Sequence, residues 1–75
     1  MPFIDIKVIE GAFTPEEKRE LVERVSEAVI AVEGEGLRPL THTAVTEIPS
    51  GEWAVGGSAK TADDVKALRS SPAAV

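Results

Sequence analysis

Apolar and polar residues alternate along the first segment of the chain, residues 2–9. One side of this segment carries Pro2, Ile4, Ile6 and Val8, and the other carries Phe3, Asp5, Lys7 and Ile9. A two-residue period is typical of a β-strand, and proline is tolerated at its first position because no hydrogen-bond donor is needed there. Residues 41–48 are rich in β-branched side chains and are followed by a Pro-Ser-Gly turn, which predicts a second strand.

A helical period separates these two strands. Thr14 is suited to cap the helix, Pro15 to occupy its first position, and Glu17 to complete a capping box three residues after the threonine. The predicted apolar stripe consists of Leu21, Val25, Ala28, Val29 and Val32. We expect the helix to end near Val32 because Gly34 and Gly36 interrupt the pattern.

The order strand, helix, strand predicts a βαβ unit with two parallel strands. Residues 52–55 and the following Gly56-Gly57 predict a short hairpin, and Thr61 is placed to cap a short final helix. The fold class is therefore α+β, with a single domain over residues 1–69 and a C-terminal tail over residues 70–75. One helix covers only one face of such a sheet, so we expect copies of the chain to pack together as an oligomer.

Composition narrows the chemistry that this chain can perform. It has 75 residues, no cysteine and a single histidine, His42. Disulfides, thiolate metal sites and a zinc constellation are therefore excluded, and we predict no metal site. A domain of this size buries a small core, which again favours assembly.

The net charge of −5 argues against binding to nucleic acid, whose phosphates require a basic surface. No apolar run approaches the roughly 20 residues of a membrane span, and no secretory signal precedes the first strand. We therefore expect a cytoplasmic protein with neither nucleic acid nor membrane as a partner.

Pro2 is the strongest candidate for chemistry. If Met1 is removed, Pro2 becomes the amino terminus and its ring nitrogen a free secondary amine. Amino termini titrate near about 7.7–8.0, and partial burial or nearby cations lower that pKa toward neutrality. A rigid amine with such a pKa is suited to act as a general base. A Met-Pro start by itself carries no catalytic meaning.

Several features occur together in the order of a known family. They are the start at Pro2, the Glu10-Gly11 break, the capped helix with RVSEA at residues 24–28, and VTEIPSGEWAVGG at residues 45–57. Residues 2 to about 57 resemble the 4-oxalocrotonate tautomerase family in this order and spacing. The resemblance implies a small β-α-β subunit that assembles as a hexamer or in a trimer-like form. It also implies sites lined by several subunits, no cofactor, and Pro2 as the group that moves a proton.

The resemblance also shows what this chain lacks. The family's first substrate-binding arginine falls where this chain has Ala12 and Phe13, and the second aligns with His42; neither arginine is retained. The family's aromatic residue beside the proline aligns with Trp53. The predicted substrate-binding residues are thus His42, Trp53, Arg38 and Phe13, although a solvated loop charge explains Arg38 better, and Trp53 can also fill a subunit interface.

Two functions remain open at this point. The first is a cofactor-independent keto–enol tautomerase (isomerase) that acts on a small enol or dienol carboxylic acid, with Pro2 as general base and then acid. The second is a non-catalytic or partner-dependent subunit of a tautomerase-like hetero-oligomer, in which a related subunit supplies the missing arginines.

Overall fold

Seven elements follow one another in the computed structural model, which describes residues 2–71. They are β1 (Phe3–Ile9), α1 (Pro15–Glu33), a 3₁₀ helix (Glu35–Leu40), β2 (His42–Ile48), β3 (Trp53–Val55), β4 (Ser58–Lys60) and α2 (Ala62–Ser70). Strands β1 and β2 pair in parallel, from Phe3 opposite His42 to Ile9 opposite Ile48, with α1 in the connection between them. The predicted α+β class and its βαβ order are confirmed.

The start of α1 is held by the predicted capping box. The hydroxyl of Thr14 accepts a hydrogen bond from the backbone N–H of Glu17 at 3.1 Å. The carboxylate of Glu17 accepts one in return from the backbone N–H of Thr14 at 2.9 Å. Two backbone donors that the helix leaves unpaired are thus satisfied, which fixes where α1 leaves the turn after β1.

The predicted apolar stripe of α1 is partly wrong. Val32 is 90% exposed and Ala28 is also exposed, whereas Ile30, which the stripe omitted, is buried. The helix turns a neighbouring row toward the sheet, and that row includes the half-buried Ser26, whose hydroxyl lies 2.6 Å from that of Thr43 on β2. Because Ser26 is polar, a search for apolar residues at helical spacing does not recognise the row that faces the sheet.

The segment between α1 and β2 also differs from its prediction. Gly34 does end α1, with a positive φ of 104°, but residues 35–40 continue as a 3₁₀ helix that includes Gly36 and Pro39. Glycine and proline predicted only an interruption here. Short 3₁₀ helices often serve as connectors, and this one joins α1 to β2.

A second, two-stranded sheet follows β2. Strands β3 and β4 are antiparallel and place Trp53 opposite Lys60. The turn residues Gly56 and Gly57 have φ values of 58° and 82°, and two positive values are what a tight two-residue hairpin turn requires. The predicted hairpin is confirmed, and its turn fixes which side chains of the two strands share a face.

Thr61 caps α2 as predicted, by accepting from the N–H of Asp64 at 3.2 Å while Asp64 accepts from the N–H of Thr61 at 2.8 Å. Helix α2 extends to Ser70, so the residue at which the tail was predicted to begin is the last helical one. Residues 72–75 of that predicted tail lie outside the described residues. No helix within residues 2–71 has the length and apolarity that crossing a membrane requires.

The apolar core of a single chain is small. Among the described residues, the buried apolar side chains are Val8, Ile9, Ala12 and Ile30. Phe3, at 68% exposure, lies on the face of the β1–β2 sheet opposite the residues that α1 covers. Exposing an aromatic side chain to water is unfavourable in free energy, so this face is suited to be covered by another copy.

Candidate active site

Pro2 lies at the entry to β1 and is half-buried. Its carbonyl oxygen accepts a hydrogen bond from the backbone N–H of His42 at 3.1 Å. This bond extends the parallel ladder by one residue beyond the Phe3–His42 pair and ties the first described residue to the start of β2. The pyrrolidine ring is therefore held at a defined edge of the sheet.

His42 lies directly beside this edge. Its ring stacks on that of Phe3, with the ring centroids 6.2 Å apart and an angle of 15° between the planes. Both side chains are exposed on the uncovered face of the sheet. The structure thus brings two of the predicted site residues, Pro2 and His42, to the same end of the β1–β2 pair.

Arg38 is held by two carboxylates on the helix side of the sheet. It donates to Glu35 at 2.7 and 3.0 Å and to Glu27 at 2.8 and 3.1 Å. These hydrogen bonds, first those to Glu35 and then those to Glu27, raise the pKa of the guanidinium above its usual range. Arg38 would have to exchange one of these partners before it could bind a substrate carboxylate.

A polar cleft lies next to Arg38. It is lined by Val22, Glu23, Ser26, Glu27, Arg38, Thr41 and Thr43. Thr41 and Thr43 flank His42 along β2, so their side chains lie on the opposite face of the strand from the imidazole. The cleft is therefore separated from the Phe3–His42 stack by the sheet itself.

Phe13 and Trp53 line a different cavity, an open groove of about 540 Å³ that we call the Phe13–Trp53 groove. Its other lining residues are Lys7, Val8, Ile9, Val55, Lys60, Asp64, Val65 and Leu68. The walls are largely apolar, and the charged groups belong to two lysines and one aspartate. Such a groove is suited to a small molecule with an apolar body and a few polar atoms.

Pro2 and the Phe13–Trp53 groove lie at opposite ends of β1. The groove includes Val8 and Ile9, the last residues of the strand, whereas Pro2 precedes its first residue. At about 3.3 Å per residue, six residues of extended chain separate Pro2 from Val8 by about 20 Å. The predicted site residues therefore form two groups within one chain: Pro2 and His42 at one end, and Phe13 and Trp53 at the other.

Two cations near the groove were missed by the sequence reasoning. Lys60 faces Trp53 across the hairpin, and the Gly56-Gly57 turn contains the signal for this pairing, since a two-residue turn places residues 53 and 60 opposite each other. Arg69 is brought in by α2, and no local motif indicates its position. Its guanidinium lies 4.5 Å from the centre of the Phe13 ring.

Arg69 ties α2 to the beginning of α1. It donates to the carbonyl of Ala12 at 2.8 Å and to both carboxylate oxygens of Glu17, one of them at 3.1 Å. The hydrogen bonds from Arg69, followed by the one from the Thr14 backbone, lower the pKa of Glu17 to about 2. Glu17 thus serves both the capping box of α1 and the attachment of α2, which closes one side of the groove.

No group of three or more histidine or acidic side chains within residues 2–71 is arranged to hold a metal ion.

Comparisons with known proteins extend over most of the chain. Residues 2–63 match a family model described as "Tautomerase enzyme". A solved 4-oxalocrotonate tautomerase isozyme from Methylibium petroleiphilum is 30% identical, covers 85% of this chain and 97% of its own, and superposes with a TM-score of 0.69. YwhB, a homologue of 4-oxalocrotonate tautomerase, is 35% identical, with coverages of 84% and 97% and a TM-score of 0.66.

DmpI from Helicobacter pylori is 30% identical, with coverages of 77% and 94% and a TM-score of 0.66. Curated protein sequences give no significant match. The family match ends at residue 63, so most of α2, including Arg69, lies beyond it.

Proposed function

The chain belongs to the tautomerase family of enzymes, and from this premise we propose that it is a cofactor-independent keto–enol tautomerase in which Pro2 is the proton carrier. The proposed substrate is a small enol or dienol carboxylic acid. The observation that carries this proposal is the position of Pro2, which is half-buried and held to the sheet by the hydrogen bond from the His42 backbone at 3.1 Å.

The proposed reaction moves one proton and changes no oxidation state. The uncharged ring nitrogen of Pro2, exposed once Met1 is removed, takes the proton from the enol hydroxyl. The oxygen then becomes a carbonyl as the carbon–carbon double bond shifts, and the prolinium returns the proton to carbon. A single amine with a pKa near neutrality serves as base in the first step and acid in the second.

A complete site requires more than one copy of the chain in this proposal. The uncharged amine needs a water-poor pocket, but the apolar Phe13–Trp53 groove lies about 20 Å from Pro2 along the same strand. We propose that Pro2 of one copy faces the groove of another in a hexamer or trimer-like assembly. The uncovered sheet face around Phe3 and His42 supports such packing.

The other predicted site residues have distinct proposed roles. His42, at the same end of the β1–β2 sheet as Pro2, donates to the substrate carboxylate or to the developing enolate oxygen. Phe13 and Trp53 of the neighbouring copy exclude water and contact the substrate body. Arg38 assists only if it releases Glu27 or Glu35, with both of which it makes two hydrogen bonds.

The test is turnover of phenylenolpyruvate by the processed chain. Intact mass first establishes that Met1 is absent, and Pro2→Ala is then compared with Pro49→Ala, which changes a loop proline between β2 and β3. We expect Pro2→Ala to lower kcat/KM about 100-fold, because a flexible primary amine replaces the rigid ring nitrogen that moves the proton. We expect Pro49→Ala to retain activity. Equal activity of Pro2→Ala and the unmodified chain would refute the role of Pro2.

A second candidate is a subunit that works only with a related partner. It is favoured by the state of Arg38, whose guanidinium is occupied by Glu27 and Glu35, so the described residues supply no uncommitted arginine beside Pro2. Activity of the purified chain alone rejects this candidate. A correctly processed, assembled chain that is inert on phenylenolpyruvate supports it.

A further inference from the structure

Resting on the proposed function, we propose that Lys60 binds the substrate carboxylate in the Phe13–Trp53 groove, which leaves the developing enolate oxygen to His42. The ligand class is a small carboxylate with an aromatic or aliphatic body. Lys60 lies on β4, and among residues 2–71 no arginine lines the groove, so its ammonium group would take the role that an arginine would otherwise have.

The hairpin places Lys60 against the aromatic wall of the groove. Trp53 and Lys60 are directly opposite each other in the β3–β4 pair, so their side chains leave the same face of the hairpin. Both residues are half-buried and both line the groove. A half-buried lysine can pack its aliphatic part against an apolar wall and keep its ammonium group accessible, and the partial burial of Lys60 fits this arrangement.

The charges around the groove leave Lys60 available. Lys7, the other lysine of the groove, forms an ion pair with Asp5 at 2.7 Å. Within residues 2–71, Lys60 takes part in no ion pair and its side chain donates no hydrogen bond to another protein group. It therefore has three donors that a ligand anion can use.

Asp64 is the one carboxylate that lines the groove with the two lysines. It is committed to the cap of α2, where it accepts from the backbone N–H of Thr61 at 2.8 Å. This backbone hydrogen bond and one with the Thr61 side chain lower the pKa of Asp64, and the nearby charge of Lys60 contributes a smaller part. Since Asp5 pairs with Lys7 and Asp64 is engaged by the Thr61 cap, Lys60 is the cation of the groove that is left for a ligand within residues 2–71.

The apolar walls of the groove strengthen the interaction between the Lys60 ammonium group and a carboxylate. Hydrogen bonds between an ammonium and a carboxylate strengthen as water is excluded, because the local dielectric constant falls. Val65 and Leu68 on α2 and Phe13 on the loop before α1 provide apolar surface for the ligand body. A carboxylate without an apolar body would contact Lys60 but not the apolar walls. An apolar molecule without a charge would contact the walls but not the ammonium group.

Binding can be measured without turnover because Trp53 is the only tryptophan of the chain. We would titrate 3-phenylpropionate, and its neutral amide as the matched ligand, against Trp53 fluorescence in the assembled protein. The variants are Lys60→Met, Lys60→Arg and, as control, Lys66→Met, which removes an exposed charge from α2 outside the groove. Circular dichroism establishes that each variant is folded.

We expect the unmodified chain to bind the acid about tenfold more tightly than the amide, and increasing salt to reduce this difference. Lys60→Met should abolish the difference, while Lys60→Arg and Lys66→Met should keep it. Equal affinity for acid and amide in the unmodified chain, or an unchanged preference in folded Lys60→Met, would overturn the proposal. The comparison of acid with amide in the unmodified chain needs no variant, so it tests the proposal even if Lys60→Met does not fold.

Steady-state kinetics separate this proposal from the proposed function. With phenylenolpyruvate, Lys60→Met should raise KM about tenfold and leave kcat within about threefold, because the lysine binds the carboxylate and does not carry the proton. Pro2→Ala should lose turnover but keep its preference for 3-phenylpropionate. If Pro2→Ala is inactive and Lys60→Met has an unchanged KM, the role of Lys60 fails while that of Pro2 stands.

Discussion

At the scale of single residues, His42 has two contacts with different consequences. Its backbone N–H donates to Pro2 and is independent of the side chain, whereas its ring stacks on the exposed ring of Phe3. The first contact holds Pro2 at the edge of the sheet. The second makes the imidazole part of an apolar surface that another copy can cover.

These two properties of the His42 ring can be separated by substitution. His42→Phe keeps an aromatic partner for Phe3 but removes the ring N–H groups, and His42→Ala removes both. If His42 donates to the substrate, we expect His42→Phe to assemble normally and to raise KM for phenylenolpyruvate about tenfold, the loss of one charge-assisted hydrogen bond. His42→Ala should show the same KM effect and weaker assembly by size-exclusion chromatography. An unchanged KM in His42→Phe would leave the ring with a packing role only.

At the scale of secondary-structure elements, the ion pair between Arg69 and Glu17 is one of the contacts that attach α2 to the rest of the chain. Arg69 holds the pKa of Glu17 at about 2, well below its ordinary value. A depressed carboxylate pKa contributes stability that is present above the ordinary pKa of the unfolded chain and is lost as the pH falls through the lower, folded value. We therefore expect the wall of the groove that α2 forms to loosen between about pH 4.5 and 2.

Arg69→Gln tests this dependence directly. It removes the largest cause of the depressed pKa of Glu17, so the unfolding midpoint in urea should fall less between pH 5 and 2 than it does in the unmodified chain. Arg24→Gln is the matched control, since Arg24 pairs with Glu20 at 3.3 Å within the exposed surface of α1. If Arg69→Gln shows the same acid dependence as the unmodified chain, another group attaches α2.

The elements differ in how far their sequence determines them. Capping boxes and the Gly56-Gly57 turn are local, so Thr14, Thr61 and the hairpin could be predicted from a few neighbouring residues. The face that α1 buries is set by the partner strand, and the hydrogen-bonded Ser26 on that face could not be recognised from a hydrophobic period. The position of Lys60 beside Trp53 could be recognised only once the pairing register of β3 and β4 was known.

At the scale of the whole molecule, the distribution of the candidate residues matters more than any one of them. Pro2 and His42 lie at one end of the β1–β2 sheet, and Phe13, Trp53 and Lys60 lie at the other. The sequence could identify most of these residues but not their separation, because alignment to a family position does not say which copy supplies it. A site assembled from both groups therefore requires contact between copies.

Because the two groups of residues come from different copies in this arrangement, two variants with different defects should restore activity when they are assembled together. Pro2→Ala replaces the rigid ring amine with a flexible primary amine but keeps the groove, and Trp53→Ala lacks the groove wall but keeps the ring amine. When the two are unfolded together and refolded as a mixture, random assembly should give about a quarter of the sites an intact Pro2 facing an intact Trp53. Turnover of phenylenolpyruvate should then exceed the average of the two variants refolded separately.

The control mixture contains Pro2→Ala with the double variant Pro2→Ala/Trp53→Ala, in which no chain has Pro2, so refolding the two together should give no gain in turnover. If each chain used its own Pro2 and its own Trp53, no chain in the first mixture would have both, and refolding together would restore nothing. The separation of about 20 Å along the strand between Pro2 and Val8 of one chain argues against such a self-contained site. Recovery in the first mixture alone would therefore place the reaction between copies, with the proton carrier and the substrate-binding groove on different chains.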